Sequence, residues 1–219
     1  MDFSPFKHFV FDLDGTLYDT RGLPLRLIMG DLRHCLLLKA ERTVRRQFMG
    51  MPFEGADDYY DALFDGISQA RKVPVAQVRK WYYEGYMPQT VSILRAHYKA
   101  RPEVPALFER IRARGGKIAV ISDYGFVREK LDAIGISEGM ADYEFEAPAL
   151  GGLKPCKRTY QRMLDILGLP PEEILMVGDR LDTDGRGALD AGLAFFHIDK
   201  KTDSWRILTE NILTHQTQS

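Results

Sequence analysis

The amino-acid sequence predicts an α/β fold in which a Rossmann-like parallel sheet core, flanked by helices, carries an inserted all-helical cap. From residue 103 onward, short apolar runs of strand length alternate with amphipathic segments of helix length, which is typical of a parallel sheet covered on both faces. An earlier apolar run at residues 9–11 is separated from these by residues 18–98, where apolar residues recur only at helical spacing. The chain therefore leaves the sheet after one strand and returns after a helical insertion.

The first strand ends in a pair of acidic residues. Residues 9–11 (FVF) are followed by Asp12 and Asp14, and then by Gly15 and Thr16, a pattern that indicates a buried strand and a tight turn. Two carboxylates two residues apart repel each other unless a cation neutralises them or one is protonated. This arrangement implies a divalent metal, acid/base chemistry, or both.

The insertion is predicted to consist of four helices. The first helix ends at Gly50 and Pro52. The third helix begins at Pro74 and ends at Gly85 and Pro88. Residues 90–99 form the fourth helix. The apolar positions of the first three are Leu25, Ile28, Met29, Leu32 and Leu36, then Tyr59, Tyr60, Leu63, Phe64 and Ile67, and then Val75, Val78, Trp81 and Tyr82.

The remaining elements alternate between helix and strand. Strands are predicted at 117–121, 143–147, 174–177 and 194–198. Helices between and after them are marked by apolar stripes beginning at Val104, Phe126, Thr159 and Trp205. The predicted domains are an α/β core of residues 1–17 and 99–219 and a helical cap of residues 18–98.

Polar side chains follow three of the predicted strands. Asp12 and Asp14 follow the first, Ser122 the second and Asp179 the strand at 174–177. Because ligands bind beyond the carboxyl ends of the strands in such sheets, we expect these residues to meet at one edge, with the cap above it.

Composition narrows the class of protein. A formal charge of -1 argues against a nucleic acid polymer as partner, since such binding needs a strongly basic face. The N-terminus lacks the basic start and apolar run of a signal peptide, and no stretch is long enough to span a membrane. With only two cysteines, a disulfide framework is not expected. These features predict a cytoplasmic protein without a membrane partner, and they leave open whether it is a monomer or a dimer.

The acidic motif resembles the signature of the haloacid dehalogenase superfamily, Asp-x-Asp-Gly-Thr, in Asp12, Asp14, Gly15 and Thr16. The helical insertion between the first two elements is similar to the cap of the phosphatase branch that includes phosphoglycolate phosphatase-like proteins. This resemblance implies that Asp12 is the nucleophile and that Asp14 is the acid/base, which needs a protonated fraction at working pH. It also argues against dehalogenation, because the halide-displacing branch typically lacks the second aspartate.

The same resemblance implies the phosphate-binding residues. Ser122 matches the family's phosphate-binding Ser/Thr, with backbone N–H groups from Asp123 onward, and Lys154 matches its phosphate-binding lysine. Gly15 and Thr16 belong to the same predicted phosphate site. Read without the resemblance, a serine such as Ser122 is more often a helix cap, and a lysine such as Lys154 is usually an ordinary loop lysine.

The resemblance further implies Mg²⁺ as cofactor. Asp12, Asp179 and the backbone carbonyl of Asp14 are the predicted ligands, and Asp184 supports the metal or Lys154. Oxygen ligands are those that Mg²⁺ prefers. Asp182 competes with Asp184 for the supporting role, and we rank it second.

Residues 21–46 are rich in Lys and Arg. Two interpretations stay open: a solvated helix face, or a surface that meets an anionic part of the substrate. Arg21, nearest the nucleophile in sequence, is the candidate substrate-binding residue.

The predicted function is hydrolysis of a small phosphorylated metabolite, such as phosphoglycolate, a sugar phosphate or a nucleotide monophosphate. A phosphomutase with the same core remains the alternative. A phospho-acceptor module without turnover is disfavoured, since such a switch needs neither the insertion nor the second acidic element.

Overall fold

The computed structural model describes residues 1–199 and 201–214. Its centre is a five-stranded sheet that is all parallel, as the sequence predicts, and its strand order is β3-β2-β1-β4-β5. The strands are β1 (His8–Asp12), β2 (Ile118–Ser122), β3 (Tyr143–Glu146), β4 (Ile174–Gly178) and β5 (Ala194–His197).

Helices follow or connect the strands. The cap helices are α1 (Leu23–Gly30), α2 (Cys35–Phe48), α3 (Ala56–Arg71), α4 (Val75–Lys80) and α5 (Met87–His97). The helices of the core are α6 (Val104–Ala113), α7 (Val127–Ile134), α8 (Lys157–Leu167), α9 (Arg186–Asp190) and α10 (Ser204–Thr214).

The sheet is buried on both faces. Phe9 and Phe11 of β1 point into one apolar cluster, and Val10, between them, points into another, because successive side chains of a strand alternate in direction. Phe11 pairs in register with Val120 of β2 and with Val177 of β4. This double burial explains why the strands have continuous apolar sequences.

The cap has an apolar core of its own. Its centre contains fully buried aromatic and aliphatic side chains from α3 and from the helical run that follows it, including Tyr59, Leu63, Phe64 and Tyr82. Trp81 and Tyr82, which the sequence predicts on an apolar helix face, therefore pack within the cap. The exact domain boundaries at 17/18 and 98/99 stay a prediction.

The predicted apolar stripe of the first cap helix is wrong except at Ile28, which is half-buried against the core of the cap. Leu25, Met29, Leu32 and Leu36 are all exposed, whereas Leu27 is 4% exposed. The helix breaks after Gly30, and the side chain of Asp31 accepts a hydrogen bond from the backbone N–H of His34. The break resets the helical phase, so the periodicity cannot continue to Leu32 and Leu36. Within α1 itself the side that faces the protein is that of Leu27, and Leu25 and Met29 point away from it. The buried residues of α2 include Leu37, Leu38 and Val44.

The predicted helix end at Gly85 and Pro88 is also wrong. A π-helical turn, Trp81–Tyr86, joins α4 directly to α5, and the N–H of Met87 donates to the carbonyl of Tyr82. Proline cannot supply the backbone N–H of a regular helix, and its ring crowds the preceding turn. The wider π turn relieves that crowding, so the helix continues.

Among the described residues, no helix combines the length and the apolar character that crossing a membrane requires.

The burial of α1 provides a direct test of its orientation. We expect Leu27→Ala to lower the free energy of unfolding by about 2–5 kcal/mol, because it removes buried methyl groups and leaves a cavity. Leu25→Ala, two residues away and 61% exposed, should change it by less than about 0.5 kcal/mol. Urea unfolding of both variants measures the difference. Equal effects, or a larger effect at Leu25, would contradict this placement of the helix.

Candidate active site

The carboxyl ends of the strands enclose a small chamber of about 60 Å³. Asp12 ends β1, and Asp179 directly follows β4. The chamber brings together most of the residues that the sequence predicts for the site. Its lining consists of Asp12, Asp14, Asp123, Tyr124, Lys154, Asp179, Arg180, Thr183 and Asp184.

Asp12 is buried and held by donors on both of its oxygens. The Thr16 hydroxyl donates to Oδ2 at 2.8 Å, and Lys154 Nζ donates to Oδ1 at 2.6 Å. Burial raises the pKa of Asp12 well above its usual range; the nearby Asp184 adds to this effect, and Lys154 opposes it. Two donors fix the rotation of the carboxylate, so its orientation in the chamber is set before any ligand arrives.

Lys154 lies between two carboxylates. Its Nζ is 2.6 Å from Asp12 Oδ1 and 2.6 Å from Asp184 Oδ1, and its side chain is only 1% exposed. Burial alone would lower the pKa of Lys154, but the carboxylates of Asp12 and Asp184 hold it well above its usual range. The backbone N–H of Lys154 donates to Asp123 Oδ1 at 2.8 Å. The lysine is therefore a fixed cation.

Two glycines permit the close packing of the acidic residues. A Cβ on Gly178 would lie 2.4 Å from Asp184 Oδ2, and one on Gly15 would lie 2.5 Å from Asp179 Oδ2. Gly15 also has a φ of +105°, which favours glycine. No larger residue fits at either position with the carboxylates where they are.

Three carboxylates form a cluster that suits a metal ion. Oxygens of Asp12, Asp179 and Asp184 lie within 4.8 Å of one another. Lys154 neutralises only part of their charge, and carboxylate oxygens are hard ligands of the kind that bind Mg²⁺. Asp182 lies apart from this cluster, is exposed and pairs with Arg180 at 2.7 Å. The donor set thus fits a divalent cation.

Asp14 is not part of the carboxylate cluster. Tyr18 OH donates to its Oδ1 at 2.6 Å, and both Ser122 Oγ and Lys130 Nζ donate to its Oδ2 at 2.6 Å. Burial would raise the pKa of Asp14, but Lys130 and the other donors lower it. The expectation of a protonated fraction in this state is therefore corrected: Lys130 holds Asp14 as a carboxylate.

Lys130 is a functional candidate that lies outside the motifs from which the sequence predicts the site. Its side chain is 1% exposed, and its Nζ also lies 3.3 Å from Ser122 Oγ. The sequence does carry a signal for it. Lys130 lies three residues after Val127 and four before Ile134, on the apolar face of α7. A lysine on a buried helix face needs a partner, and Asp14 is that partner.

Ser122 and Asp123 lie beside the chamber, but their polar groups are already engaged. The Ser122 hydroxyl donates to Asp14 and accepts from the backbone N–H of Tyr124 at 3.1 Å. The side chain of Asp123 accepts from Lys154 N. Both residues line or support the site as the sequence predicts, and a phosphate role for them stays a prediction.

Arg21 does not reach the chamber. Its side chain is 89% exposed and pairs with Asp19 at 2.5 Å. It lines a separate surface depression together with Arg101. The interpretation of Arg21 as the substrate-binding arginine is therefore corrected: proximity to Asp12 in sequence does not place its side chain in the site.

Arg45 connects the cap to the chamber. Its Nη1 donates to the backbone carbonyl of Asp123 at 2.7 Å, and its guanidinium lies 4.0 Å from the ring centroid of Tyr124. Its Nε donates to Glu41 at 2.6 Å. Arg45 is 5% exposed, so the basic stretch is not simply a solvated helix face.

A larger cavity of about 240 Å³ lies between the cap and the core. It shares Asp14, Tyr124 and Arg180 with the small chamber, so it adjoins the chamber on the Asp14 side. Cap residues from α1, α2 and α5 form its other wall. The arrangement offers one compartment beside Asp12 and a second, wider one next to it.

Solved structures share this fold. An L-2-haloacid dehalogenase aligns with a TM-score of 0.63 and 18% identity, covering 95% of this chain and 99% of that one. A candidate β-phosphoglucomutase from Thermotoga maritima aligns with a TM-score of 0.58 and 18% identity, covering 96% and 91%. At such identity the likeness shows the fold alone.

Sequence comparison gives the family. The phosphoglycolate phosphatase of Aquifex aeolicus is 28% identical over 181 residues, covering 78% of this chain and 74% of that protein. The model of the haloacid dehalogenase-like hydrolases matches residues 6–192, which include every element of the site. The resemblance read from the Asp-x-Asp-Gly-Thr motif is thus confirmed, and the chain belongs to the haloacid dehalogenase-like hydrolase family.

Proposed function

We propose that the protein is a Mg²⁺-dependent phosphatase that hydrolyses a small phosphomonoester through an aspartyl-phosphate on Asp12. The observation that carries this proposal is the chamber itself: an oriented, buried carboxylate beside a fixed lysine and an acidic cluster. Phosphoryl transfer requires a nucleophile, cations around the transferring oxygens and fixed donors. The phosphatase relative from Aquifex aeolicus supports the same activity.

In the first step, an oxygen of Asp12 attacks the phosphorus, and the bond from phosphorus to the organic oxygen breaks. Lys154, fixed between Asp12 and Asp184, stabilises charge on the transferring oxygens. Asp14 lies on the side of the larger cavity and delivers a proton to the leaving oxygen. Because Asp14 rests as a carboxylate beside Lys130, it has to acquire that proton when substrate binds.

In the second step, water hydrolyses the aspartyl-phosphate. Asp14 accepts a proton from the water as it attacks the phosphorus, and the phosphorus–oxygen bond to Asp12 breaks. Inorganic phosphate leaves, the Asp12 carboxylate is restored, and Asp14 releases the proton to solvent to return to the carboxylate beside Lys130. The cap closes off the site, which keeps bulk water from competing in the first step.

Mg²⁺ would be held by the carboxylates of Asp12 and Asp179 and the backbone carbonyl of Asp14, with Asp184 in support. When bound, it supplies positive charge that offsets the negative charge of the phosphate and of the carboxylates that Lys154 does not neutralise. The excess of acidic groups over lysine in the cluster supports this assignment.

A phosphomutase remains the second candidate, because it would use the same nucleophile, lysine and metal. The likeness to a candidate mutase concerns the fold alone. The two activities differ in whether the cap excludes water long enough for an intermediate to rebind. A phospho-acceptor without turnover is disfavoured by the second, wider compartment under the cap, which such a switch does not need.

The nucleophile is tested by Asp12→Asn. We expect release of inorganic phosphate from a panel of phosphomonoesters, including p-nitrophenyl phosphate, to fall by at least about 10³-fold, because the amide cannot form the phospho-enzyme. Circular dichroism of the variant should match that of the wild type. An active Asp12→Asn protein would remove the nucleophile assignment. A wild type that traps phosphate on Asp12 without release would favour the phospho-acceptor.

The metal is tested by chelation and by a binding readout. We expect EDTA to abolish phosphate release and added Mg²⁺ to restore it. Mg²⁺ should also raise the thermal midpoint of the wild type, since a ligand that binds only the folded state stabilises it. Asp179→Asn should lose that rise, while Asp182→Asn, whose exposed side chain lies outside the cluster, should keep it. An unchanged rise in Asp179→Asn would contradict the assignment.

Lys130 is tested as the residue that positions Asp14. We expect Lys130→Met to lower kcat by about 10- to 100-fold with little change in KM, because a displaced catalytic group costs turnover more than binding. Lys130→Arg should restore part of the loss. Glu129→Gln, the exposed neighbour on α7, is the matched control and should behave as the wild type. Equal losses in kcat for the methionine and arginine variants would argue for a packing role only.

A further inference from the structure

We infer that the leaving group of the substrate carries its own anionic group, which Arg42 binds in the larger cavity. This inference rests on the proposed phosphatase function and names the class of substrate: a small phosphomonoester with a carboxylate or a second phosphate on its organic part. It follows from the balance of charge in the cavity, from its shape and from its position beside Asp14.

Three cations and one carboxylate line the 240 Å³ cavity. The charge of Lys130 is matched by Asp14 at 2.6 Å. Arg180 is matched by Asp182, whose oxygens lie 2.7 and 3.1 Å from its guanidinium nitrogens. Arg42 is different, because within residues 1–199 and 201–214 its side chain makes neither an ion pair nor a hydrogen bond. The cavity therefore has one positive charge in excess.

The neighbouring residues on α2 show that this excess is local. Arg45, one turn further along, is neutralised by Glu41 and satisfied by the carbonyl of Asp123. Glu41 directly precedes Arg42 in sequence, but its carboxylate pairs with Arg45 instead. Arg42 is half-buried, so solvent screens its charge less than that of an arginine at the surface. An anion that enters the cavity would find a cation with unused donors.

The position of the cavity identifies which part of the substrate it holds. It shares Asp14, Tyr124 and Arg180 with the nucleophile chamber. A phosphoryl group beside Asp12 would direct its leaving oxygen towards Asp14, and the organic part would extend into the cavity. Arg42 therefore meets the organic part rather than the transferring phosphoryl group, which Lys154 already faces.

The size and the walls of the cavity restrict that organic part. At about 30 Å³ for each water molecule, 240 Å³ holds about eight, so the group has few heavy atoms. Leu23, Leu27 and Met87 form an apolar wall from the cap, which favours a short carbon skeleton beside the anion. The guanidinium fork matches carboxylate and phosphate oxygens in a bidentate geometry.

The inference is tested with three two-carbon substrates. Phosphoglycolate carries a carboxylate, ethane-1,2-diol bisphosphate carries a second phosphate, and ethyl phosphate carries neither. For each anionic substrate, the preference ratio is its kcat/KM divided by that of ethyl phosphate. We expect at least one preference ratio of the wild type to exceed one, and the larger ratio identifies the anion that the cavity prefers. In Arg42→Gln the larger preference ratio should fall by about 10- to 100-fold, which is the effect expected from the loss of charge-assisted hydrogen bonds.

Arg46→Gln is the matched control, because Arg46 is exposed on the same helix and does not line the cavity. Its ratio should equal that of the wild type. Arg42→Lys keeps the charge without the fork, so a partial loss of the ratio supports the inference, and it provides a second variant if Arg42→Gln does not fold. Thermal midpoints identify folded variants.

The two proposals fail in different ways. The phosphatase proposal itself is overturned if, in the presence of Mg²⁺, the protein hydrolyses none of the tested compounds: ethyl phosphate, the two anionic substrates and p-nitrophenyl phosphate. If hydrolysis occurs but the wild type does not favour an anionic substrate, or if a folded Arg42 variant keeps the wild-type ratio, the assignment of Arg42 is overturned and the phosphatase proposal stands.

Discussion

The site depends on the confinement of several carboxylates around one buried ammonium group. Lys154 Nζ lies 2.6 Å from both Asp12 and Asp184, in a region where unpaired charge is costly. One cation cannot neutralise the whole cluster once Asp179 is included, so the folded chain retains a demand for positive charge. That demand is the physical basis for proposing a divalent ion, and the absence of a side chain at Gly178 is what lets Asp184 approach.

A second buried ion pair separates the two aspartates of the motif. Asp12 faces Lys154, whereas Asp14 faces Lys130, with Tyr18 and Ser122 as further donors. Each carboxylate thus has its own cation, which allows two acids to stand two residues apart. The two ion pairs also correspond to the two roles that we propose. Asp12 and Lys154 bind the phosphoryl group, and Asp14, positioned by Lys130, transfers the proton to the leaving group.

The cap contributes through two arginines of α2 with different electrostatic surroundings. Arg45 is neutralised by Glu41 and bonded to the loop that follows β2, so it fixes the cap against the site. Arg42 faces the wider cavity without an ion pair in the described part of the chain. The neutralised guanidinium of Arg45 stabilises the structure, whereas the guanidinium of Arg42, which has no ion-pair partner there, is available to bind a ligand. This contrast is what gives the cap a chemical preference in our proposal.

The sequence by itself determined the parallel sheet, its strands and the family, because apolar runs and the spacing of Asp12 and Asp14 are local properties of the chain. It also grouped Asp12, Lys154 and the acidic residues after β4, since the carboxyl ends of parallel strands meet at one edge. Only the tertiary structure placed Lys130 beside Asp14 and Arg42 at the wider cavity, and only it left Arg21 outside the chamber. Whether a charged side chain is neutralised depends on partners far away in sequence, such as Asp14 for Lys130. The exposed positions of Leu32 and Leu36 likewise depended on a helix break at Asp31, which changes the direction of every later side chain and which periodicity does not register.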